Sequence, residues 1–299
     1  MRDLNLIVIG DKNCGTTRAY LTYLKNGGIR PKELWLVDFF PADDRVHQLW
    51  KLPVIGARLG NQRHRRLSCP TFQHPKLFFE LCEQFQAYVP HPVSFFGEFE
   101  YEAYVERVRH LVAEDYDDPH LQDMMKKHAG SAYLYTNGGI VPASILSHPS
   151  IRVFHVHPGI VPEIRGSDCF LWSLHKRGRP GASCFYMAPG IDEGDVLVQM
   201  EFDLPDLSFL GSHLCKEDED TVCRAIAHAF DPHMRAMLFA EALSGMEGAD
   251  ARELVGRPQL GSDKFAYLWM HPKLRLRVLQ EAVDASRENR TDVLRLRRT

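Results

Sequence analysis

The first forty residues alternate between short apolar runs and one amphipathic stretch. Residues 6–9 form an apolar, β-branched run that stops at Gly10, residues 16–25 carry apolar side chains at helical spacing, and residues 34–37 are apolar again. This strand–helix–strand order is typical of a sheet with parallel strands, because such strands need a helical crossover. We therefore predict an α/β protein with a Rossmann-like, doubly wound and mostly parallel sheet.

Similar patterns continue along the rest of the chain. The spacing of apolar residues predicts helices over residues 75–85, 100–113, 119–128, 142–146, 218–243 and 274–285. It predicts further strands over residues 132–135, 151–157 and 196–202. We expect residues 1–203 to form a catalytic domain and residues 204–299 to form a smaller, mainly helical C-terminal part.

Composition excludes several classes of protein. With 36 basic and 39 acidic residues the net charge is -3, so no basic excess indicates a nucleic-acid partner. No apolar run approaches the roughly 18 to 20 residues needed to cross a bilayer, and we expect no membrane association. The seven cysteines are odd in number and contain no C-x-x-C pair, which predicts a cytoplasmic protein without structural zinc.

Two histidines stand at the end of the predicted strand 151–157. Side chains alternate between the faces of a strand, so His155 and His157 project the same way, with Cβ atoms about 6 to 7 Å apart. A Pro-Gly pair then ends the strand, and the carboxyl ends of parallel strands are where α/β proteins bind ligands. Asp192 lies in a later, glycine-bracketed turn over residues 190–194 that can bring it beside the histidines. These three side chains are the candidate catalytic group.

The residue types alone leave three interpretations of this group open. A carboxylate favours the charged form of a neighbouring imidazole, which can stabilise an oxyanion in acyl transfer or take a proton from an attacking amine. Two imidazoles and a carboxylate are also the ligands of 2-His-1-carboxylate metal sites, and the spacing does not exclude such a site. The third interpretation is that all three are hydrogen-bonded side chains at the end of a sheet.

The residues around the histidines narrow this choice. The chain reads His-Pro-Gly-Ile-Val-Pro from His157, continues with Arg165-Gly166, and later reads Asp-Glu-Gly from Asp192. In order and spacing these motifs resemble the formyltetrahydrofolate-dependent formyltransferases, which include glycinamide ribonucleotide, methionyl-tRNA and sugar-nucleotide formyltransferases. Recognisable similarity runs from about residue 131 to 203, which includes residues 135–146. It continues more weakly over residues 256–270, which contain a Pro-Gln and tyrosine motif.

The resemblance implies catalytic roles for His157 and Asp192, and it makes His155 a departure. The family usually has asparagine at that position, where its amide hydrogen-bonds to the formyl oxygen. A histidine can offer one N–H in about the same direction, although it is bulkier and its tautomer varies. We therefore expect His155 to take the oxyanion-contact position, with His157 stabilising the oxyanion and relaying protons and Asp192 sustaining a charged His157.

The resemblance also implies the ligands. The co-substrate would be 10-formyltetrahydrofolate, which this family holds largely through backbone groups. The corresponding positions here are Gly139, Ile140, Val141, Gly190 and Ile191. Asn13, in the first turn after a strand, and Arg165 are expected to bind the acceptor, and no metal is expected.

About 100 residues follow the Asp192 turn, and no separate tRNA-binding domain fits comfortably within them. The sequence therefore predicts a cytoplasmic N-formyltransferase that acts on the amine, or the hydroxylamine, of a small molecule through a tetrahedral intermediate. A homo-oligomer is compatible with this prediction. The alternatives are a formyl-folate hydrolase, a metal-dependent enzyme that uses His155, His157 and Asp192, and a catalytically silent folate-binding homologue.

Overall fold

A computed structural model describes residues 1–11, 14–39, 74–94, 98–136, 140–214, 218–260, 265–288 and 291–297. Its strands are β1 (Arg2–Gly10), β2 (Ile29–Phe39), β3 (Arg107–Ala113), β4 (Ala132–Tyr135), β5 (Arg152–His157), β6 (Gly181–Tyr186), β7 (Val196–Asp203) and β8 (Arg295–Leu296). Its α-helices are α1 (Gly15–Asn26), α2 (Pro75–Phe85), α3 (Pro119–Lys127), α4 (Ala143–Leu146), α5 (Cys169–Arg177), α6 (Glu219–Ala229), α7 (Asp231–Ser244) and α8 (Pro272–Ser286). Short 3-10 helices cover Gln86–Tyr88, Tyr101–Ala103, Ser208–His213 and Ala251–Glu253.

These strands form one sheet in the order β3-β2-β1-β4-β5-β6-β7-β8. The pairs from β3 across to β5 are parallel, whereas β6, β7 and β8 join in antiparallel pairs. The chain runs outward from β1 to β3 and then returns to β4 on the other side of β1. The strand order thus reverses between β1 and β4, which is where doubly wound proteins bind ligands. The predicted α/β class, with a mostly parallel, doubly wound sheet, is confirmed.

Hydrophobic clusters cover both faces of the sheet. Along β1, Leu6 and Val8 belong to one cluster, whereas Ile7 and Ile9 belong to the other, as the alternation of a strand requires. Helices α1, α2, α6, α7 and α8 contribute to the first cluster, and α3 and α4 to the second. The sheet is therefore buried between two layers of helices near the candidate site.

Close packing holds β1, β4 and α1 together at the point where the strand order reverses. A Cβ atom on Gly10 would overlap the side chain of Thr17 at the start of α1. The hydroxyls of Thr17 and Thr136 are 3.0 Å apart, and Thr136 donates to the carbonyl of Ile9 over 2.9 Å. The ends of β1 and β4 and the start of α1 are thus held against one another.

Most predicted elements are present. The helices predicted over residues 16–25, 75–85, 119–128, 142–146 and 274–285 and the strands predicted over residues 6–9, 34–37, 132–135, 151–157 and 196–202 are confirmed within a few residues. Helix α5 and strand β6 were not predicted. Helix α5 ends at Arg177, and the next residue, Gly178, has φ 69°, the left-handed conformation that commonly follows a helix.

The predicted helix over residues 100–113 is wrong. That segment contains a 3-10 turn followed by β3, the outer strand of the sheet. Arg109 donates to the carboxylate of Glu33 on β2 over 2.6 Å, and Arg107 lies 3.4 Å from the same carboxylate. These pairs across strands, together with β-branched valines that suit a strand, override the helical spacing.

The predicted helix over residues 218–243 is two helices rather than one. Helix α6 ends at Ala229 and α7 begins at Asp231, and Phe230 between them has φ -120° and ψ -56°. The cause is Pro232, because a proline inside a helix lacks an N–H donor and its ring clashes with the preceding turn.

Helix α7 packs below the strand that carries the two histidines. The ring of Phe239 lies 5.3 Å from that of Phe154 on β5 and 5.8 Å from that of Tyr20 on α1. The predicted division of the chain at residue 203 stays a prediction. None of the described helices combines the length and the apolar character needed to cross a membrane.

Candidate active site

The last residues of β5 bring the two histidines together. His155 and His157 project from the same side of the strand, and their ring centroids are 6.3 Å apart. The ring of His157 is buried, with 3% of the residue exposed. The strand ends here, next to the point at which the strand order reverses between β1 and β4. Both imidazoles therefore lie where this type of sheet binds ligands.

Hydrogen bonding determines which nitrogen of His157 carries the hydrogen in the neutral ring. Nε2 is 3.1 Å from the carbonyl oxygen of Ile164, and a carbonyl can only accept, so Nε2 donates. The other nitrogen, Nδ1, is 3.3 Å from Oδ1 of Asp192. In a neutral ring Nδ1 is an acceptor, so two acceptors face each other unless a proton lies between them. His157 and Asp192 form a pair suited to share one proton.

A strained turn holds Asp192 in this position. Asp192 has φ 53°, and Gly190 and Gly194 on either side have φ near 130°. A Cβ atom on Gly194 would overlap the carbonyl of Tyr186, so this position requires glycine. Oδ2 of Asp192 accepts a hydrogen bond from the backbone N–H of Gly166 over 2.8 Å, which leaves Oδ1 directed at His157.

Gln259 ties this turn to Arg165. Its Nε2 donates to the carbonyls of Asp192 and Gly194 over 3.0 Å each, and its Oε1 accepts from the guanidinium of Arg165 over 2.5 Å. Arg165 is buried, and its guanidinium is also 4.0 Å from a carboxylate oxygen of Glu193. The sequence motif included Gln259, but only the structure shows that it supports the turn.

Two further polar residues were missed by sequence reasoning. The hydroxyl of Ser183, which is fully buried on β6, donates to the carbonyl of Gly159 over 2.7 Å and accepts from the N–H of Val161 over 3.0 Å. Gln199 on β7 donates to the carbonyl of Val161 over 2.5 Å. They stabilise the turn after His157. A serine inside an apolar strand is the signal that could have indicated this role.

Burial sets the charge of the three candidate catalytic residues. Desolvation lowers the pKa of His157 to about 3, although its bond to the Ile164 carbonyl opposes the shift. Desolvation, together with the repulsion that His157 would exert if both rings were charged, lowers the pKa of His155 to about 4. Burial also raises the pKa of Asp192, against the effect of the Gly166 N–H. Burial therefore favours the neutral form of both imidazoles at neutral pH in the free protein.

His155 has an unused polar atom. Its ring lies 6.0 Å from that of Tyr135 and 5.7 Å from that of Phe185. Its Nδ1 is buried and makes no hydrogen bond of good geometry with the residues that the structure describes. Leaving such an atom unpaired costs about 1–3 kcal/mol, so a bound group that pairs with it is stabilised.

The other predicted ligand-binding residues fall into three groups. Ile140 and Ile191 are large apolar side chains that are 85% and 61% exposed, whereas Val141 is buried. Gly190 begins the Asp192 turn, and a Cβ atom there would contact the carboxylate of Glu193. Asn13 and Gly139 lie outside the described residues.

The nitrogens of His155 and His157 and a carboxylate oxygen of Asp192 could also act as metal ligands. One such atom from each residue lies within 4.8 Å of the other two. The geometry thus suits two kinds of chemistry. These are proton relay through the pair of His157 and Asp192, and coordination of a cation by all three residues.

Comparison with curated proteins gives a partial match. No family model matches the chain. Over 93 residues the chain is 33% identical to a methionyl-tRNA formyltransferase of Syntrophus aciditrophicus. The aligned region covers 30% of each of the two chains. Over 83 residues the chain is 31% identical to the methionyl-tRNA formyltransferase of Bacillus thuringiensis, covering 27% of this chain and 26% of that protein. The predicted resemblance to the formyltransferases is confirmed. The match spans less than a third of the length of these relatives.

Solved structures of formyltransferases resemble the chain at low identity. A 4-N formyltransferase from Francisella tularensis has a TM-score of 0.36 and 15% identity, over 81% of this chain and 67% of that one. A phosphoribosylglycinamide formyltransferase from Anaplasma phagocytophilum has a TM-score of 0.41 and 11% identity, over 80% and 84% of the two chains.

Proposed function

We propose that this protein is a cytoplasmic N-formyltransferase that moves the formyl group of 10-formyltetrahydrofolate to the amine of a small molecule. The observation that carries the proposal is the pair of His157 and Asp192, with Nδ1 and Oδ1 3.3 Å apart at the end of β5. Formyl transfer needs a group that takes a proton from the attacking amine and gives one to the leaving nitrogen. A buried pair that can take up one proton and then release it suits both steps.

The chemistry can be written with this chain's own residues. As the amine nitrogen bonds to the formyl carbon, the carbonyl electrons move to the formyl oxygen. His155 lies beside His157 and can donate a ring N–H to that oxygen, a contact that strengthens as negative charge develops. The pair of His157 and Asp192 takes the proton from the amine. It returns a proton to the departing folate nitrogen as the old carbon–nitrogen bond breaks.

Two exposed apolar side chains favour folate as the co-substrate. Ile140 follows β4 and Ile191 precedes Asp192, and both are exposed in spite of their size. Flat aromatic ligands bind between such side chains while a few polar groups fix their orientation. We propose that Ile140 and Ile191 flank the pterin, and that backbone groups of Gly139, Val141 and Gly190 bind its polar edge.

The acceptor would approach from the end of β1. Asn13 follows β1 in the sequence and lies outside the described residues, and we propose that it binds the acceptor. The guanidinium of Arg165 is occupied by Gln259 and Glu193, and we propose that it acts on the acceptor through its charge. Burial raises the pKa of Asp192, and the Arg165 charge opposes that shift. Gln259 joins the Arg165 guanidinium to the carbonyl of Asp192, so that charge lies next to the reacting groups.

Release of tetrahydrofolate tests the proposal. The protein is mixed with 10-formyltetrahydrofolate and a panel of small amines and hydroxylamines, and release is followed spectroscopically. We expect release that depends on the amine, and His157→Ala to lower turnover about 10²- to 10⁴-fold because the proton relay is lost.

The matched control is His110→Ala. His110 is an exposed histidine on β3, at the far edge of the sheet, and its loss should leave turnover unchanged. Unchanged turnover in His157→Ala would contradict the mechanism. Release without any amine would indicate a formyl-folate hydrolase, and folate binding without release would indicate a catalytically silent homologue.

A further inference from the structure

We propose that His155, His157 and Asp192 form a binding site for one divalent first-row transition metal ion. One potential ligand atom from each residue lies within 4.8 Å of the other two. This inference does not depend on the proposed function, because it concerns binding by side chains that are present whether or not the protein transfers a formyl group.

His157 and Asp192 already have the orientation of metal ligands. A metal-bound histidine usually donates its second nitrogen to a carbonyl or carboxylate, as Nε2 of His157 does to Ile164. Asp192 likewise uses Oδ2 to accept from Gly166, which leaves Oδ1 free for an ion. With bonds of about 2.0–2.1 Å, two ligands of a tetrahedral ion are about 3.3 Å apart. Nδ1 of His157 and Oδ1 of Asp192 are separated by 3.3 Å.

His155 completes the set. Its ring is held between the rings of Tyr135 and Phe185, and its buried Nδ1 makes no hydrogen bond of good geometry with the described residues, although the backbone of Tyr135 acts on the pKa of this imidazole. The three ligand atoms all lie within 4.8 Å of one another, so no pair has to approach by more than about 1.5 Å to reach the spacing of tetrahedral ligands. The remaining coordination positions stay open to water or to a substrate.

The ligand types select the class of ion. Two imidazole nitrogens and one carboxylate oxygen suit zinc, iron, cobalt or nickel, whereas magnesium and calcium prefer oxygen ligands. Asparagine, which formyltransferases usually have at position 155, would leave one imidazole and one carboxylate. The site therefore depends on the residue by which this chain departs from the family pattern.

An ion in this position would replace the shared proton. It would lie between Nδ1 of His157 and Oδ1 of Asp192, where the proton relay requires a hydrogen. The metal-bound and proton-relaying forms of the site therefore exclude each other. Zinc should inhibit any formyl transfer that the metal-free protein performs, and a chelator should restore it.

Metal titration tests the proposal. The full-length protein is freed of its affinity tag, treated with a chelator, dialysed and titrated with Zn²⁺ by calorimetry and with Co²⁺ by absorption spectroscopy. We expect one ion per chain, the intense visible bands of a four- or five-coordinate Co²⁺ site, and no binding of Mg²⁺. His155→Asn and Asp192→Asn should each weaken binding by about 100-fold or more, since even residues that only support metal ligands contribute 10- to 100-fold.

His110→Ala removes an exposed histidine elsewhere and should bind the metal like the original protein. The proposal is overturned if the original protein binds no Zn²⁺ or Co²⁺ stoichiometrically, or if a folded Asp192→Asn or His155→Asn protein binds them equally well. If the protein transfers a formyl group but binds neither Zn²⁺ nor Co²⁺, the metal site is contradicted and the proposed function is not. Stoichiometric metal binding without formyl transfer to any amine would contradict the proposed function alone.

Discussion

Single residues determine what the site can do, and His155 has the largest effect. The alternation of a strand is enough to predict that His155 and His157 face the same space, because it follows from backbone geometry alone. The tautomer of His157 could not be predicted, since it depends on the carbonyl of Ile164 in the turn that follows. The supporting role of Gln259 could not be predicted either, because its partner Arg165 lies 94 positions earlier in the chain.

Gly166 provides a test at this scale. It has φ 97°, and a Cβ atom would overlap the backbone of Tyr267. Gly166→Ala should therefore displace the N–H that binds Asp192, lowering both turnover, by about 10²-fold, and stability, by about 1–3 kcal/mol. Steady-state kinetics and denaturant unfolding measure the two effects.

Gly178→Ala is the matched control for this change. Gly178 also has a positive φ of 69°, but nothing lies within 4 Å of its added Cβ. It should lose about 1–2 kcal/mol of stability from the backbone conformation and keep its turnover. Equal turnover in the two variants would show that the Gly166 N–H does not position Asp192.

Whole elements were predicted well where local pattern and tertiary contacts agree. Strand β1 and helix α1 combine apolar periodicity with glycine boundaries, and their prediction is confirmed. Residues 100–113 have helical spacing, yet they form β3 because Arg107 and Arg109 pair with Glu33 on β2. Such a partner, more than 70 positions away, cannot be found from the local pattern. Pro232 could have indicated the break between α6 and α7, since its effect is local.

The contact between β2 and β3 predicts a dependence of stability on pH. Burial alone would raise the pKa of Glu33, but hydrogen bonds from Arg109 and Trp35 outweigh it and lower the pKa to about 2, from 4.5. A carboxylate whose pKa is lower in the folded state stabilises the protein above its unfolded pKa. That contribution, about 2 kcal/mol, should be lost as the pH falls from about 5 to 2.

Denaturant unfolding at a series of pH values measures this loss. In Glu33→Gln the decrease between pH 5 and pH 2 should be smaller by about the same amount, because the titrating group is gone. Glu80→Gln is the control, since Glu80 is half exposed and its ion pair within the described part of the chain is with an exposed lysine on its own helix. Identical pH profiles for the original protein and Glu33→Gln would contradict the assignment.

At the scale of the whole molecule, the end of the chain closes the sheet against the helical layer. Strand β8 pairs with β7, and Arg297 contacts Asp203 over 2.8 Å. Leu294 is fully buried in the first hydrophobic cluster, and its N–H donates to the carbonyl of Tyr88 over 2.8 Å. These contacts join the last described strand to the antiparallel half of the sheet and to the segment after α2.

Removal of residues 291–299 should therefore destabilise the protein and expose an edge. Loss of the Leu294 side chain alone is expected to cost about 2–5 kcal/mol, which Leu294→Ala measures separately by denaturant unfolding. The truncated chain should also self-associate, which sedimentation velocity detects, because β7 would present unpaired backbone groups. Arg297→Ala, which removes only a half-exposed ion pair, should change stability by about 1 kcal/mol or less. If the truncated protein unfolds at the same denaturant concentration as the intact chain, β8 and Leu294 do not contribute to the core.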